Sequence, residues 1–333
     1  MLTVFTVNLE NYLVAGVSEL FGEDAKTFRK VRTQIEESLE QQGFNFYFPG
    51  MVSKKRLYSN FVDEVGERFL NNLVGVELEG ETGIIVRPEG TLAVLDYVAR
   101  SRDLPTKVYY SQEFLRNEPF SEVKEGKTRA FWQIGFELVG YSLDYANLET
   151  IKSCIEAVSS SGLQGVYARI TDKRILSGIL EELSLNDQQE IRNRVDLVGE
   201  NPNEFLELKS KKNDSISKTV AELLALSSVD NPFNEMRKVL ANYPQSLEGV
   251  DNLENLYFCS KEFGNVRVSP VIGKGWEVYN QMMVEIKCEG YPYALGGGGD
   301  YSAMKSIFPN TEMTGAGLGL TRIIEALLQQ GGK

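Results

Sequence analysis

The chain of 333 residues is 42% hydrophobic and 25% charged, which is enough apolar material for one large domain or two moderate ones and excludes a disordered protein. Its net charge of −12 would repel a phosphate backbone, so a large nucleic-acid surface is not expected. The sequence contains no histidine, and any catalysis must therefore use carboxylates, lysine, arginine, tyrosine or a bound metal.

The cysteines and the apolar runs bear on the compartment of the protein. Cys154, Cys259 and Cys288 lie far apart without CxxC spacing, so neither a disulfide framework nor a zinc site is predicted. No apolar run approaches the roughly 20 residues of a membrane helix, and the first residues lack a basic region ahead of an apolar stretch. We therefore expect a cytoplasmic protein without a membrane partner.

Residues 24–101 are predicted to alternate between helices and short strands. A helix over Asp24–Gln42 is predicted because Asp24 can cap it and because Phe28, Val31 and Ile35 fall on one apolar stripe. The elements predicted after it are a strand over Phe44–Pro49, a helix over 61–73, a hairpin of Leu73–Leu78 and Gly83–Val86, and a helix over 91–101.

A second, longer hairpin over 108–140 is the most informative stretch of the sequence. Its first strand runs from Val108 to Phe114 and its return strand from Phe131 to Val139, with a charged loop between them. On the return strand, period-2 alternation places one apolar set on one face and Gln133 and Glu137 on the other. The hairpin therefore predicts a core face and a polar face that could form the floor of an active site.

The rest of the chain continues the mixed pattern. The elements predicted there are a helix over Asn147–Ser160, a strand over Val166–Ile170, a helical insertion over 171–250, a β pattern over 255–272, a strand region over 275–287 and a last helix over 321–330. The order indicates an α+β fold with a mostly antiparallel sheet flanked by helices. We expect residues 1–170 and 251–333 to form one core interrupted by the helical insertion.

Each local signal has an ordinary structural interpretation beside the functional one. Arg116 and Glu118 share a strand face, as do Gln133 and Glu137, and either pair could be a solvated sheet surface. The glycine run 296–299 could bring a ligand close to the backbone or could be a flexible turn. It is not followed by the Gly-Lys-Ser/Thr of a phosphate-binding loop, and the later Gly315–Gly319 starts no βαβ unit.

Five segments taken together resemble the catalytic core of histidyl-tRNA synthetase, which has the class II aminoacyl-tRNA synthetase fold. The segments are Arg87–Thr91, Phe114–Glu118, Arg129–Glu137, Gly296–Asp300 and Gly315–Arg322. The resemblance extends from the first helix to the last, and it implies an adenylate-forming ligase that uses ATP and Mg²⁺.

The resemblance assigns a nucleotide set and a catalytic set. Arg116 corresponds to the arginine that grips the α-phosphate and the substrate carboxylate, and Arg322 to the arginine at the γ-phosphate. Glu118 corresponds to the acid that reads the adenine amino group. The full ATP set is Arg116, Glu118, Lys127, Arg129, Phe131, Gly319 and Arg322, and the catalytic set is Arg116, Lys274 and Arg322. In-line displacement of pyrophosphate needs such cations and no general base.

The resemblance also assigns an amino-acid set, and here the sequence departs from the family. The set is Glu89, Thr91, Gln133, Glu137, Glu277, Tyr279 and Gly297. Lys274 stands where the family has a catalytic arginine, Val278 replaces a tyrosine, and the glycine run replaces two pocket side chains. These changes suggest a ligand other than histidine, or histidine bound differently. No metal ligands are assigned.

Three functions follow from the resemblance. The first is a stand-alone paralog that makes an aminoacyl-adenylate and passes the acyl group to a non-tRNA acceptor in biosynthesis, such as an acceptor protein. The second is a non-catalytic regulatory subunit that activates the catalytic subunit of ATP phosphoribosyltransferase in histidine biosynthesis. The third is a truncated histidine–tRNA ligase. No anticodon-binding domain is expected, tRNA is not an expected partner, and a homodimer is expected through the first helix and the strand that ends at Pro49.

Overall fold

A computed structural model of the chain describes residues 14–60, 67–124, 127–208, 214–273, 278–301 and 311–331. The helices are α1 (Glu23–Gln41), α2 (Lys55–Ser59), α3 (Glu67–Asn71), α4 (Thr91–Ser101), α5 (Phe120–Lys124), α6 (Leu143–Ser160), α7 (Lys173–Leu180), α8 (Leu185–Val198), α9 (Pro202–Glu207), α10 (Asp214–Ala225), α11 (Phe233–Val239), α12 (Pro244–Ser260) and α13 (Leu320–Gly331). The strands are β1 (Asn45–Phe46), β2 (Val52–Lys54), β3 (Val74–Leu78), β4 (Glu81–Val86), β5 (Thr106–Leu115), β6 (Ala130–Val139), β7 (Val166–Asp172), β8 (Val266–Val268), β9 (Met282–Cys288), β10 (Gly296–Asp300) and β11 (Met313–Gly319).

An eight-stranded sheet forms the centre of the fold, in the order β1-β5-β6-β11-β10-β9-β7-β8. The two outermost pairs, β1 with β5 and β7 with β8, are parallel, and the pairs between them are antiparallel. A separate three-stranded sheet has the order β2-β4-β3. The predicted α+β fold with a mostly antiparallel sheet is confirmed.

One face of the large sheet is covered by helices. In α1 the stripe of Val31, Ile35 and Leu39 is buried, as the sequence periodicity predicted, and the helix packs against α6, α13 and β6. Burial of these apolar side chains forms the main hydrophobic cluster of the protein. The opposite face of the sheet is therefore the one on which a site can form.

Residues 173–208 and 214–250 contain helices and no strand, in agreement with the helical character predicted for this stretch. Ile175, Phe205 and Val220 from these helices join the same hydrophobic cluster as the sheet. The helices are also tied to one another by the buried Arg194, which donates to the Phe205 carbonyl at 2.7 Å and to the Ser217 hydroxyl at 3.2 Å. The boundaries of the proposed insertion remain a prediction.

Four sequence predictions need correction. Asp24 does not cap α1, because the helix begins at Glu23 and Asp24 lies inside its first turn. Residues 255–260 do not belong to a β region but complete α12, because Val250, Leu253 and Leu256 follow helical spacing and are all buried. Strand β9 begins only at Met282, several residues later than predicted. The glycine run is neither a flexible turn nor a loop: it forms β10, whose backbone pairs with β9 on one side and β11 on the other.

The site face of the sheet carries a row of glycines. In the strand register Gly135 of β6 lies opposite Gly317 of β11, which in turn lies opposite Gly297 of β10. This row is bounded by Tyr110 of β5 at one end and by Glu285 of β9 at the other. Because the middle of the row has no side chains, the sheet presents a flat backbone floor between two walls, which we call the glycine floor.

Close packing against one of these glycines positions the Tyr110 ring. A Cβ atom on Gly135 would lie 2.2 Å from the Tyr110 ring, and one on Gly90 would lie 2.3 Å from it. The ring is therefore held between two backbones, which only glycine permits.

We predict that Gly135→Ala lowers the free energy of unfolding by about 1–3 kcal/mol, because the new methyl group must displace the buried Tyr110 ring. Urea denaturation of the two proteins measures the difference. Gly75→Ala is the matched control, since a Cβ on this strand glycine meets no atom within 4 Å. Equal losses in both variants would contradict the proposed packing.

Candidate active site

Two adjoining cavities lie on the glycine floor, with volumes of about 650 Å³ and about 290 Å³. Both are lined by Arg116, Tyr279, Gly297 and Gly317. The cavities therefore meet where β6, β11 and β10 run side by side, and Arg116 is the charged side chain that they share.

The larger cavity collects most of the residues predicted to bind ATP. Those that line it are Arg116, Glu118, Lys127, Phe131, Gly319 and Arg322. Arg129 does not line it: its Nε donates to the Glu118 carbonyl at 3.1 Å, and its backbone N–H donates to the Gly16 carbonyl at 2.7 Å. In this structure Arg129 holds the hairpin loop in place, which differs from direct ligand contact.

Arg116 is held by a hydrogen bond and by an aromatic ring. Its Nε donates to the Pro88 carbonyl at 3.0 Å, and its guanidinium lies 4.7 Å from the centre of the Phe131 ring. Burial lowers the pKa of Arg116, while the carboxylates of Glu89 and Glu118 favour its charged form. A cation that is partly desolvated and held at a defined angle is suited to anion binding.

The hairpin loop brings Glu118 to the same cavity. The side chain is nearly buried, and its Oε2 lies 3.7 Å from the Lys127 ammonium, which also pairs with Glu122. Oε2 makes no hydrogen bond although it is shielded from solvent. Such an atom is costly to bury alone, and a ligand donor would satisfy it.

The far wall of the larger cavity contains residues that sequence reasoning did not select. Tyr291, Tyr293, Glu285 and Glu325 all line it. The Tyr291 hydroxyl donates to Glu325 at 2.7 Å, and Glu285 forms an ion pair with the buried Arg169 at 3.3 Å. The sequence signal for Glu285 is its place on the site face of β9, in the same row as Gly297.

Arg322 also belongs to this far wall. Its Nη1 donates to the Ala294 carbonyl at 3.0 Å, and its guanidinium lies 5.8 Å from the Tyr293 ring. Unlike Arg116 it is exposed to solvent, and the other N–H groups of its guanidinium can donate to a ligand.

The smaller cavity collects most of the amino-acid set. Glu89, Thr91, Gln133, Tyr279 and Gly297 line it, together with Val278, which the sequence marked as a departure from the family, and with Phe69, Leu92 and Tyr301, which were not selected from the sequence. The predicted Lys274 and Glu277 lie outside the described residues. The Gln133 amide is oriented by a hydrogen bond from its Nε2 to the Tyr110 hydroxyl at 2.9 Å.

Glu89 precedes helix α4, and its carboxylate accepts a hydrogen bond from the backbone at the start of that helix. Its two oxygens accept from the Leu92 backbone N–H at 3.3 and 3.2 Å. Burial raises the pKa of Glu89, but the helix amides and the charge of Arg116 counteract this rise. Glu89 is therefore the better stabilised of the two buried carboxylates in this region.

Glu137 lies behind the cavity wall and is only 1% exposed. Neither of its oxygens makes a hydrogen bond of ordinary length and angle, and a Cβ on Gly315 would overlap Oε2 at 1.9 Å. Burial raises the pKa of Glu137 well above its usual value; the nearby Thr91 hydroxyl offsets part of the rise and the charge of Glu89 adds to it. Of the two acids, Glu137 is the one whose surroundings more strongly favour the protonated form.

The described residues hold no group of three His, Cys, Asp or Glu side chains that could bind a metal ion, and no helix among them is long and apolar enough to cross a membrane.

Comparison with known proteins gives one family and several relatives. The family model described as Histidyl-tRNA synthetase matches residues 16–323. The histidine–tRNA ligase of Methanococcus vannielii is 27% identical over 312 residues, which cover 90% of this chain and 68% of that protein. The ATP phosphoribosyltransferase regulatory subunit of Halothermothrix orenii is 26% identical over 306 residues, covering 86% of this chain and 69% of that protein.

A solved structure from Bacillus halodurans, described as an ATP phosphoribosyltransferase regulatory subunit/histidyl-tRNA synthetase, has the same fold. It superposes with a TM-score of 0.77 at 19% identity and covers 94% of this chain and 82% of that one. The class II aminoacyl-tRNA synthetase fold predicted from the motifs is confirmed.

We predict that Glu137→Gln removes a pH-dependent loss of stability. An acid with a raised folded-state pKa binds more protons in the folded than in the unfolded state, so stability falls as pH rises above the unfolded pKa. As the pH rises above the unfolded pKa, the wild type should lose up to about 1.4 kcal/mol per pH unit relative to the variant. Urea denaturation at several pH values measures this, with Glu113→Gln at an exposed position of β5 as control. Parallel curves for wild type and Glu137→Gln would contradict it.

Proposed function

The chain belongs to the histidyl-tRNA synthetase family, as its motifs predicted, and we propose that it uses ATP to activate a small amino acid as an aminoacyl-adenylate. The observation that carries the proposal is the meeting of the two cavities at Arg116. A carboxylate bound in the smaller cavity and a phosphate bound in the larger one would both reach the same guanidinium. A displacement at phosphorus requires the attacking carboxylate to lie next to the phosphate, and binding of both groups to one cation would bring them together.

The residues present suit the proposed reaction. The amino-acid carboxylate attacks the α-phosphorus of ATP, a carbon–oxygen–phosphorus link forms, the bond to the β-phosphate oxygen breaks, and pyrophosphate leaves with the electron pair. Arg116 would bind the charge that develops at the α-phosphate, and Arg322 would bind the outer phosphates. The attacking carboxylate is already ionised, so the lack of histidine is no obstacle.

The larger cavity also fits the base of a nucleotide. Phe131 offers a ring on which adenine can stack, and the unsatisfied Glu118 Oε2 can accept from an exocyclic amino group. Mg²⁺ is part of the proposal as the ion that accompanies ATP. In the proposal the ion would bind through the phosphates of ATP.

For the fate of the acyl group we propose a non-tRNA acceptor in the cytoplasm. The net charge of −12 disfavours a polynucleotide, and three unpaired cysteines suit a reducing compartment.

A second candidate is a regulatory subunit that activates the catalytic subunit of ATP phosphoribosyltransferase. The similarity to the Halothermothrix orenii protein favours it. In this alternative the smaller cavity would bind the amino acid as a signal, and no chemistry would follow. This alternative does not explain why Arg116, Glu118 and Phe131 line the larger cavity in an arrangement that suits nucleotide binding.

Exchange of labelled pyrophosphate into ATP, scanned over the standard amino acids, separates the candidates. Exchange with one amino acid supports activation and contradicts a purely regulatory role. No exchange, together with stimulation of a phosphoribosyltransferase catalytic subunit, supports the second candidate. Charging of tRNA by the isolated chain would instead support a histidine–tRNA ligase.

We predict that Arg116→Ala lowers exchange by at least about 100-fold, since it removes the cation shared by the two cavities. Circular dichroism and thermal unfolding check that the variant is folded. Arg100→Ala on the exposed side of α4 is the matched control and should retain full exchange. Unchanged exchange in Arg116→Ala would place the reaction elsewhere.

A homodimer is part of the proposal, and the edge of the large sheet supports it. Phe46, Phe48 and Met51 at the β1 edge are 53%, 72% and 74% exposed, and we call these three residues the β1 patch. Exposed apolar side chains clustered beside an open strand edge are typical of an interface.

We predict that the double variant Phe48→Ser/Met51→Ser sediments as a monomer whereas the wild type sediments as a dimer. Removing apolar area from the β1 patch weakens association. Leu185→Ser, at a comparably exposed leucine of α8, should remain dimeric. A monomeric wild type at micromolar concentration would refute the dimer itself.

A further inference from the structure

We propose that amino-acid binding in the smaller cavity is coupled to loss of a proton from Glu137: the carboxyl is protonated in the ligand-free protein and ionises when a cationic group of the ligand binds beside it. This inference rests on the proposed function and adds a proton to the binding equilibrium. It requires no further reactant, because the proton passes to the solvent as the ligand ammonium takes its place.

The position of Glu137 gives the first reason. The carboxyl lies on the site face of β6, in the strand register opposite Gly315, and neither oxygen makes a hydrogen bond of ordinary length and angle, although the Thr91 hydroxyl lies nearby. A charged carboxylate buried without a partner is strongly disfavoured, whereas its neutral form is tolerated. The carboxyl therefore stays neutral until a cationic group binds close to it.

The groups that face Glu137 give the second reason, because they come from four separate parts of the chain and include no cation among the described residues. They are Glu89 and Thr91 at the start of α4, Tyr110 of β5, Tyr279 ahead of β9 and Tyr301 after β10. The tyrosines are neutral, since burial raises the pKa of each hydroxyl above its usual value. Glu89 adds negative charge and further opposes ionisation of Glu137.

The contrast with Glu89 shows why the pKa of Glu137 is raised further than that of Glu89. Glu89 has the α4 amides and the charge of Arg116, and Arg116 does not act on Glu137 to a comparable degree. The positive charge of Arg116 therefore lowers the pKa of Glu89 more than that of Glu137.

The residues that line the smaller cavity show how a bound ligand could supply the positive charge that Glu137 lacks. Glu89, Thr91, Tyr279 and Tyr301 line the cavity and also face Glu137, so an ammonium bound among them lies close to both acids. Its charge would favour the ionised form of Glu137, and the affinity for the ligand would rise by up to about tenfold per pH unit while the free protein remains protonated.

Isothermal titration calorimetry tests this coupling. Histidine, followed by the other nineteen standard amino acids, is titrated into the full chain at pH 7 in HEPES and in Tris, whose ionisation enthalpies differ. We expect the binding enthalpy to differ between the buffers by the amount for release of about one proton. Glu137→Gln should bind more weakly and release fewer protons, and the difference from wild type removes any proton exchanged by the ligand itself. Glu113→Gln should behave like wild type.

The outcomes are distinct. Binding with equal enthalpies in both buffers would overturn the proton coupling and leave the proposed function intact. Proton release that persists in Glu137→Gln would overturn the assignment to Glu137. Failure of every amino acid to bind the wild type would overturn the proposed function, and the coupling with it. The wild-type comparison stands without the variant if Glu137→Gln does not fold.

Discussion

The absence of side chains at Gly135, Gly317 and Gly297 is the constraint on which the site depends. These residues sit in one row across three hydrogen-bonded strands, so the floor is rigid while its surface is bare. The bare surface lets the Tyr110 ring lie against β6 and lets both cavities reach the backbone. A sheet with ordinary side chains in this row would fill the space with its own core.

Charge is distributed unevenly around that floor. Arg116, anchored by the Pro88 carbonyl and the Phe131 ring, offsets Glu89 and Glu118 and serves both cavities. Glu137 is buried without comparable support from this guanidinium, and its environment favours the neutral acid. The guanidinium thus counteracts the pKa rise of Glu89 and leaves Glu137 more sensitive to what binds nearby, which links electrostatics directly to ligand choice.

The sequence predicted the elements with strong periodicity and missed those without it. The stripe of α1 and the alternation of β6 were sufficient because each has one buried face. Glycine has no side chain to show a period, so β10 could not be recognised from its own residues and is specified by its two neighbours. Arg129 and Tyr301 show the same limit at the site: which cavity a side chain lines depends on contacts between distant strands.

The glycines of β10 differ in how much change they can accept. A Cβ on Gly298 or Gly299 would lie within 2.4 Å of a backbone carbonyl oxygen, whereas one on Gly297 would meet only the Val284 carbonyl at 3.3 Å. Gly297 is also the floor position of β10 that both cavities share. A family with this sheet could therefore diverge in ligand preference through a single small side chain at the boundary between the cavities, while the rest of the floor stays fixed by its own packing.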